Sequence, residues 1–158
     1  MTRILLTGMS GAGKSTVLRA LGTRGWPTAD ADFGWCVTST EGEWVWDEPR
    51  MDELLEAHRT SDLVVAGCAS NQGRFRDRFD VVILLSAPLD LLLARVRSRT
   101  DNPYGSTEAD VAAIRADCAE VEPLLRASAD HEVRTDRSID DVIVEVVGLI
   151  EAQAPPER

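Results

Sequence analysis

The run Gly8-Met9-Ser10-Gly11-Ala12-Gly13-Lys14-Ser15 follows the spacing G-x-x-x-x-G-K-[ST] without a gap. Glycines in such a loop let successive backbone N–H groups turn toward one anion, and the lysine adds a compact ammonium that reaches between phosphate groups. Composition adds weight to that lysine. Lys14 is the one lysine among 17 basic residues, all the others being arginine, whose broad planar guanidinium would not serve at this position. Ser15 would place a hydroxyl on Mg²⁺, and Thr16 beside it would contact a phosphate. The motif therefore predicts a nucleotide held by Gly8, Met9, Ser10, Gly11, Ala12, Gly13, Lys14, Ser15 and Thr16, with Lys14 also stabilising charge on a phosphoryl group in transit.

Three further groups have chemistry-bearing side chains. Asp30-Ala31-Asp32 ends a short extended segment, and alternation points both carboxylates to one side. They suit a shared metal, or a division between metal binding, by Asp30 or Asp32, and base work on an acceptor hydroxyl, for which Asp32 is the favoured ligand. Gly67 would let a substrate approach the backbone, and Asn71, Gln72 and Arg74 follow it as polar groups within reach; a structural turn reads these residues about as well. Arg95, Arg97 and Arg99 end a helical stretch just before the Pro/Gly-containing residues 100–106, the pattern of a lid over phosphates. Arg95 and Arg99 are the two expected to act there, while helix C-terminal charge accounts for the third. Trp35, Trp44 and Trp46 crowd the segment after the aspartates and fit either a core or the wall of an acceptor pocket.

These residues need elements to hold them. Apolar strand-like runs recur at Ile4–Thr7, Leu63–Gly67 and Val81–Leu85, with weaker ones at Pro27–Asp30 and His131–Thr135. Helical patterns alternate with them at Lys14–Leu21, Pro49–Arg59, Leu89–Arg99, Thr107–Ala127 and Ile139–Glu151. Pro88, the pair Thr107/Asp110 and the pair Ser138/Asp141 mark helix starts. Five strands alternating with helices predict an α/β fold, a parallel sheet with helices on both faces. Ligands of such sheets gather at the carboxyl ends of the strands, where every group above falls.

The 158 residues fit one domain, residues 1–152, with 153–158 a frayed tail. A formal net charge of -10 argues against nucleic acid as the main partner. No apolar run approaches the roughly eighteen residues of a membrane span, and no signal-peptide pattern opens the chain. Cys36, Cys68 and Cys118 are widely spaced and read as reduced thiols, so a cytoplasmic protein is expected. Association as a monomer or homodimer is left open.

On the P-loop, the Asp30-Ala31-Asp32 pair and the arginine-rich approach to residues 100–106, the chain resembles the small P-loop kinases of the nucleoside monophosphate kinase group, most closely the shikimate-kinase-like branch. The resemblance implies a three-layer α/β/α P-loop NTPase fold with strand order 2-3-1-4-5 and a short lid. It also implies ATP and Mg²⁺ as cofactors and a small-molecule acceptor. It assigns Asp30 to magnesium, Asp32 to the acceptor hydroxyl, Gly67 to the acceptor loop and Arg95 to Arg99 to the adenine and lid. Arg126, in Pro123-Leu124-Leu125-Arg126, falls where the branch grips the acceptor's carboxylate, and Thr135-Asp136-Arg137 where it seats adenine. The branch's F-R-x-x-E stretch is absent: the corresponding residues are Trp44-Val45-Trp46-Asp47-Glu48, with Arg50 offset. The expected activity is phosphoryl transfer to a small hydroxyl compound. The alternatives are a nucleoside monophosphate kinase and a nucleotide-binding regulatory module without transfer.

Overall fold

The computed structural model describes residues 1–100 and 103–153. Asp101 and Asn102 of the expected lid, and residues 154–158 of the expected tail, lie outside the described residues. Five strands form one sheet: β1 (Arg3–Thr7), β2 (Thr28–Asp30), β5 (Leu63–Ala66), β6 (Val81–Ser86) and β7 (His131–Arg134). Their order is β2-β5-β1-β6-β7, with every pairing parallel. That is the expected 2-3-1-4-5 order of the sheet strands. The two intervening numbers belong to a hairpin that the sequence reading did not anticipate, β3 (Cys36–Thr38) and β4 (Trp44–Trp46), which pair antiparallel apart from the main sheet.

Strand alternation divides the core into two layers, as period-2 side chains require. Ile4, Leu6, Val64, Ala66 and Ile83 face helices α1 (Lys14–Thr23) and α6 (Ile139–Glu151), packing with Val17, Leu21, Val142 and Val146. Leu5, Leu63, Val65 and Val82 face the opposite way, against Met51 and Leu55 of α2 (Glu48–Ala57) and Phe75 and Phe79 of a 3-10 helix (Gln72–Arg78) and its end. Strands buried on both faces read as continuous apolar runs, which is why β5 and β6 stand out in the sequence. Helix α3 (Leu89–Ser98) packs on α4 (Glu108–Glu120) through Leu93, Val96 and Ile114.

Helix starts follow the capping signals. The Asp110 N–H donates to Thr107 Oγ1 at 3.1 Å, and the Asp141 N–H donates to Ser138 Oγ at 3.2 Å. One expected helix is two. The stretch 107–127 breaks at Val121 into α4 and a short α5 (Glu122–Ser128), because Pro123 has no N–H to continue the ladder and suits a first turn instead. Among the described residues no helix is long and apolar enough to cross a membrane.

Candidate active site

The phosphate loop connects the end of β1 to the start of α1, and its glycines are fixed by what lies behind them. Gly8 has φ 155°, and a Cβ there would collide with the Leu85 carbonyl oxygen. Gly11 has φ 82°, and its Cβ would lie 2.6 Å from the Leu92 carbonyl oxygen. The loop is thus seated directly on the end of β6 and on α3, with backbone too close for any side chain. Two further tethers hold its rear. Thr135 Oγ1 donates to the Ala12 carbonyl at 2.7 Å, and Arg95 Nη1 donates to Gly11 O at 3.1 Å and Thr135 Oγ1 at 2.9 Å.

The front of the loop is left open. No side chain caps α1, so the N–H groups of its first turn are free for an anion. Each of the other described α-helices carries an acidic residue in its first turn, and α1 carries none. An aspartate or glutamate there would occupy the positive helix end that a phosphate needs. Lys14 Nζ folds back onto the carbonyls of Gly8 at 2.7 Å and Met9 at 3.2 Å.

Beside the lysine, Ser15 Oγ donates to Asp30 Oδ2 at 2.9 Å. A hydroxyl and a carboxylate at that separation are hard oxygen donors of the kind Mg²⁺ takes, alongside phosphate and water. The described residues include no group of three or more His, Cys, Asp or Glu side chains able to hold a metal without such help. Asp30 Oδ1 also accepts the Asp32 N–H at 3.2 Å, so the first carboxylate orients the second.

Asp32 Oδ1 accepts the Cys68 N–H at 3.1 Å. Burial pushes the Asp32 carboxyl above the ordinary carboxylate range, against the opposing pull of Lys14. A carboxylate so placed is a stronger proton acceptor than an exposed one. Burial likewise raises the Cys68 thiol; the Lys14 charge opposes this, and the carboxylates of Asp32 and Asp117 add to it.

Lys14, Ser15, Thr16, Asp30, Asp32, Arg95 and Arg99 all line one open cleft of about 1820 Å³, together with Met9, Ser10, Gly11 and Gly13. A recess of about 160 Å³ within the site brings Gly8, Lys14 and Asp32 together with Cys68 and Asp117. Arg99, the residue that ends α3, has its Nε and Nη2 buried with no hydrogen-bond partner among the described residues. Buried guanidinium N–H groups without acceptors are suited to anionic oxygens. Tyr104, in the described part of the expected lid, lines the same cleft.

Ala12, expected among the nucleotide-holding residues, is 1% exposed and packs in the core without lining the cleft, and four further expected site residues stand elsewhere. Arg126 does not line the cleft: its Nε donates to Glu132 at 2.9 Å and its Nη2 to Glu122 at 3.0 Å, so two carboxylates hold it on the outer face of α5. The break at Val121 resets the helix phase, and Leu124, Leu125 and Ser128 face the cleft instead. Arg74 Nη1 is held by both Glu48 oxygens, at 3.0 and 3.1 Å, on an exposed surface. Asp136 is paired with Arg134 at 3.1 Å, leaving its neighbours Thr135 and Arg137 on the cleft. Gly67 lies beneath the site and does not line it. A Cβ there would stand 3.0 Å from Trp46 Cζ2 and 3.1 Å from Asp32 Oδ1, so its role is to let Asp32 and Trp46 close over the strand end.

The tryptophans divide between the two readings. Trp46 is 1% exposed and belongs to the core, whereas Trp44 is 59% exposed and lines the cleft with Phe33. Asn71 ties the hairpin in place, its Nδ2 donating to the Trp46 carbonyl at 2.9 Å and its Oδ1 accepting the Trp46 N–H at 3.0 Å. Asp117 escapes a reading of the sequence, where it looks like one more exposed helix acid; only the packing of α4 beside the P-loop brings it to the recess.

A family described as an AAA domain matches residues 4–116. Among solved structures, shikimate kinase from Acinetobacter baumannii in complex with shikimate is 24% identical with a TM-score of 0.69, over 96% of this chain and 94% of that one. Shikimate kinase from Bacteroides thetaiotaomicron is 18% identical with a TM-score of 0.65, over 95% and 98% of the two chains. A gluconokinase from Sinorhizobium meliloti 1021 is 18% identical with a TM-score of 0.60, over 96% and 94%. At these identities the likeness establishes the fold, an α/β P-loop kinase fold. No curated protein sequence matches the chain.

Proposed function

Starting from a chain that belongs to the AAA domain family, we propose that it is an ATP-dependent phosphotransferase acting on a hydroxyl of a small acceptor. The observation that carries this reading is the placement of Lys14 and Asp32 in one recess, with the Ser15–Asp30 pair alongside. A phosphate loop alone binds a nucleotide. A carboxylate of raised basicity within the same recess gives a second substrate something to react through.

The roles divide along the cleft. The loop N–H groups and the first turn of α1 hold the β- and γ-phosphates, and Thr135 and Arg137 line the end at which adenine would sit. Ser15 and Asp30 are the residues that would hold Mg²⁺, which when bound offsets charge between the β- and γ-phosphates. Asp32 orients the acceptor hydroxyl and receives its proton as the oxygen bonds the γ-phosphorus. The bond from that phosphorus to the bridging oxygen breaks, and its electron pair leaves with ADP. Lys14 and Arg99 face the charge that develops on the phosphoryl group, so catalysis rests on position and electrostatics.

A nucleoside monophosphate acceptor fits less well. Its phosphate calls for arginines, and the two in residues 33–60, Arg50 and Arg59, are both absent from the cleft lining. Arg50 donates to the Gly34 carbonyl beside Trp35, and Arg59 pairs with Glu56. Cys36, Cys68 and Cys118 are free thiols, which suits a cytoplasmic setting.

The test is ADP release from ATP and Mg²⁺ across a panel of sugars, nucleosides, antibiotics and hydroxy acids. At least one class should stimulate release about tenfold over ATP alone. Tight ATP binding with no stimulated turnover would instead mark a nucleotide-binding regulatory module.

A further inference from the structure

Among the described residues, the lysine and arginine side chains lining the cleft are carried by the phosphate loop, the helix that follows it, the end of α3 and the turn after β7, the elements of the proposed donor side. They are Lys14 in the loop, Arg19 on α1, Arg95 and Arg99 at the end of α3, and Arg137 after β7. On the acceptor side, the neighbouring arginines are already neutralised and turned outward. Arg74 is held by Glu48, Arg126 by Glu122 and Glu132, and Arg76 by Asp130 at 2.8 Å. An acceptor bearing a carboxylate or phosphate would enter this side with no cation to meet it, and desolvating an unpaired anion is costly.

What the acceptor side does present is of the opposite character. Asp117 of α4, itself an exposed residue, lines the recess that holds Asp32, and among the described residues no ion pair involves its carboxylate. Phe33, Trp44 and Leu124 line the adjoining cleft while 63%, 59% and 68% exposed. Open aromatic faces in the same cleft as a carboxylate without a counter-cation form a surface that attracts an organic cation and an apolar ring or chain together. Lys14, the one cation among the described residues of the recess, belongs to the phosphates once nucleotide is bound.

We infer that the acceptor is a hydroxyl compound carrying an ammonium group, its hydroxyl directed to Asp32 and its ammonium to Asp117, with its apolar body against Phe33 and Trp44. The inference rests on the phosphotransferase reading and narrows it to a substrate class. Asp117 is a specificity residue in this scheme and Asp32 a catalytic one.

The experiment uses matched acceptors that keep one ring and exchange one substituent for a charged group. Glucosamine, glucose and glucuronate form one set, and amine, neutral and carboxylate forms of a cyclitol and of a nucleoside form two more. ADP release is measured with wild-type protein and with Asp117→Asn. The amine should have the highest kcat/KM in the set that responds. Asp117→Asn should cut the amine-over-neutral ratio of kcat/KM about tenfold, the worth of one charge-assisted contact, chiefly through KM. Asp117→Arg should move the preference toward the carboxylate. Best turnover with the carboxylate or the neutral form, or an amine preference indifferent to Asp117→Asn, would overturn the inference while leaving the phosphotransferase reading standing. Silence from every charge form, with ATP still bound, would overturn the phosphotransferase reading itself and the inference with it.

Discussion

On the proposed donor side of the cleft, the residues that would meet phosphate come mostly from one unbroken stretch, 8–16, whose means of recognition are largely its own backbone N–H groups and one lysine, with Arg99 added from just after α3. On the acceptor side they come from four separated places: Asp32 and Phe33 after β2, Trp44 in the hairpin, Cys68 to Gly73 after β5, and Asp117 to Ser128 on α4 and α5. Backbone recognition fixes spacing, so the donor half tolerates little change in the loop. Side-chain recognition fixes only which face of an element is turned inward, so the acceptor half is free to change partners while the sheet beneath it stays the same. A fold shared with shikimate kinases and a gluconokinase is therefore compatible with an acceptor side of different charge.

The largest effect should come from the donor half. Lys14→Ala removes the ammonium that sits at the phosphates and should lower phosphoryl transfer by roughly 10³-fold, within the range of losing one preorganised charge-stabilising group. The fold should survive, because among the described residues the Lys14 ammonium hydrogen-bonds to loop carbonyls alone. Steady-state turnover alongside thermal unfolding checks both halves of the statement. Retained turnover would break the assignment of the donor side.

Asp32→Asn probes the seam between the halves. Transfer should fall about 10²-fold while ATP affinity holds, since the amide cannot take the acceptor's proton. Stability should move the other way. Because the folded state raises the Asp32 carboxyl above its ordinary 3.8, folding favours its neutral form. That contribution is fully present below the unfolded value and is lost as pH rises through the folded one, so above the folded value the wild type carries the cost of the buried charge. The neutral amide of the variant carries none of it and keeps an oxygen for the Cys68 N–H. The variant should melt at a higher temperature than wild type at pH 7, with the gap closing as pH falls toward the ordinary carboxylate value. Melting curves at a series of pH values decide this, and a variant less stable at pH 7 would show that the carboxylate is supported there after all.

How far each half was legible follows from the same distinction. The five-stranded parallel sheet was readable because strands buried on both faces leave contiguous apolar runs, and the loop because its chemistry is contiguous. The hairpin was not readable: its strands are three residues each, and tryptophans in Trp44-Val45-Trp46 suit a core as well as a strand. Arg126 was misplaced because a single break at Val121 changes the phase of every residue after it. Arg74 and Asp136 were misplaced because the acid or base that neutralises each is visible only once the chain is folded. Asp117 was passed over for the converse reason, as an acid without an ion-pair partner looks in sequence like any solvated one.

Gly67→Ala would sharpen the comparison without touching either substrate. The added methyl would press on Trp46 Cζ2 and Asp32 Oδ1 at 3.0 and 3.1 Å, so one of them must shift. Overpacking of this kind costs about 1–3 kcal/mol, and a displaced Asp32 should cost about tenfold in transfer. ATP affinity, set on the other side of the cleft, should stay the same by calorimetric titration. A parallel loss of ATP affinity would mean that the halves are mechanically coupled through the end of β5.

Arg126→Ala should have the smallest effect, and its smallness is informative. The side chain is 45% exposed and bridges Glu122 and Glu132, and Glu132 also accepts the Ser86 hydroxyl at 2.7 Å. Exposed ion pairs of this kind contribute about 0–1 kcal/mol, so the melting temperature should fall by only a few degrees. The acceptor's KM should not move, because the guanidinium is committed to two carboxylates on the outer face of α5. A large rise in KM would require Arg126 to leave both glutamates and turn into the cleft when substrate binds. That would restore a cation to the acceptor side and remove the charge contrast between the two halves.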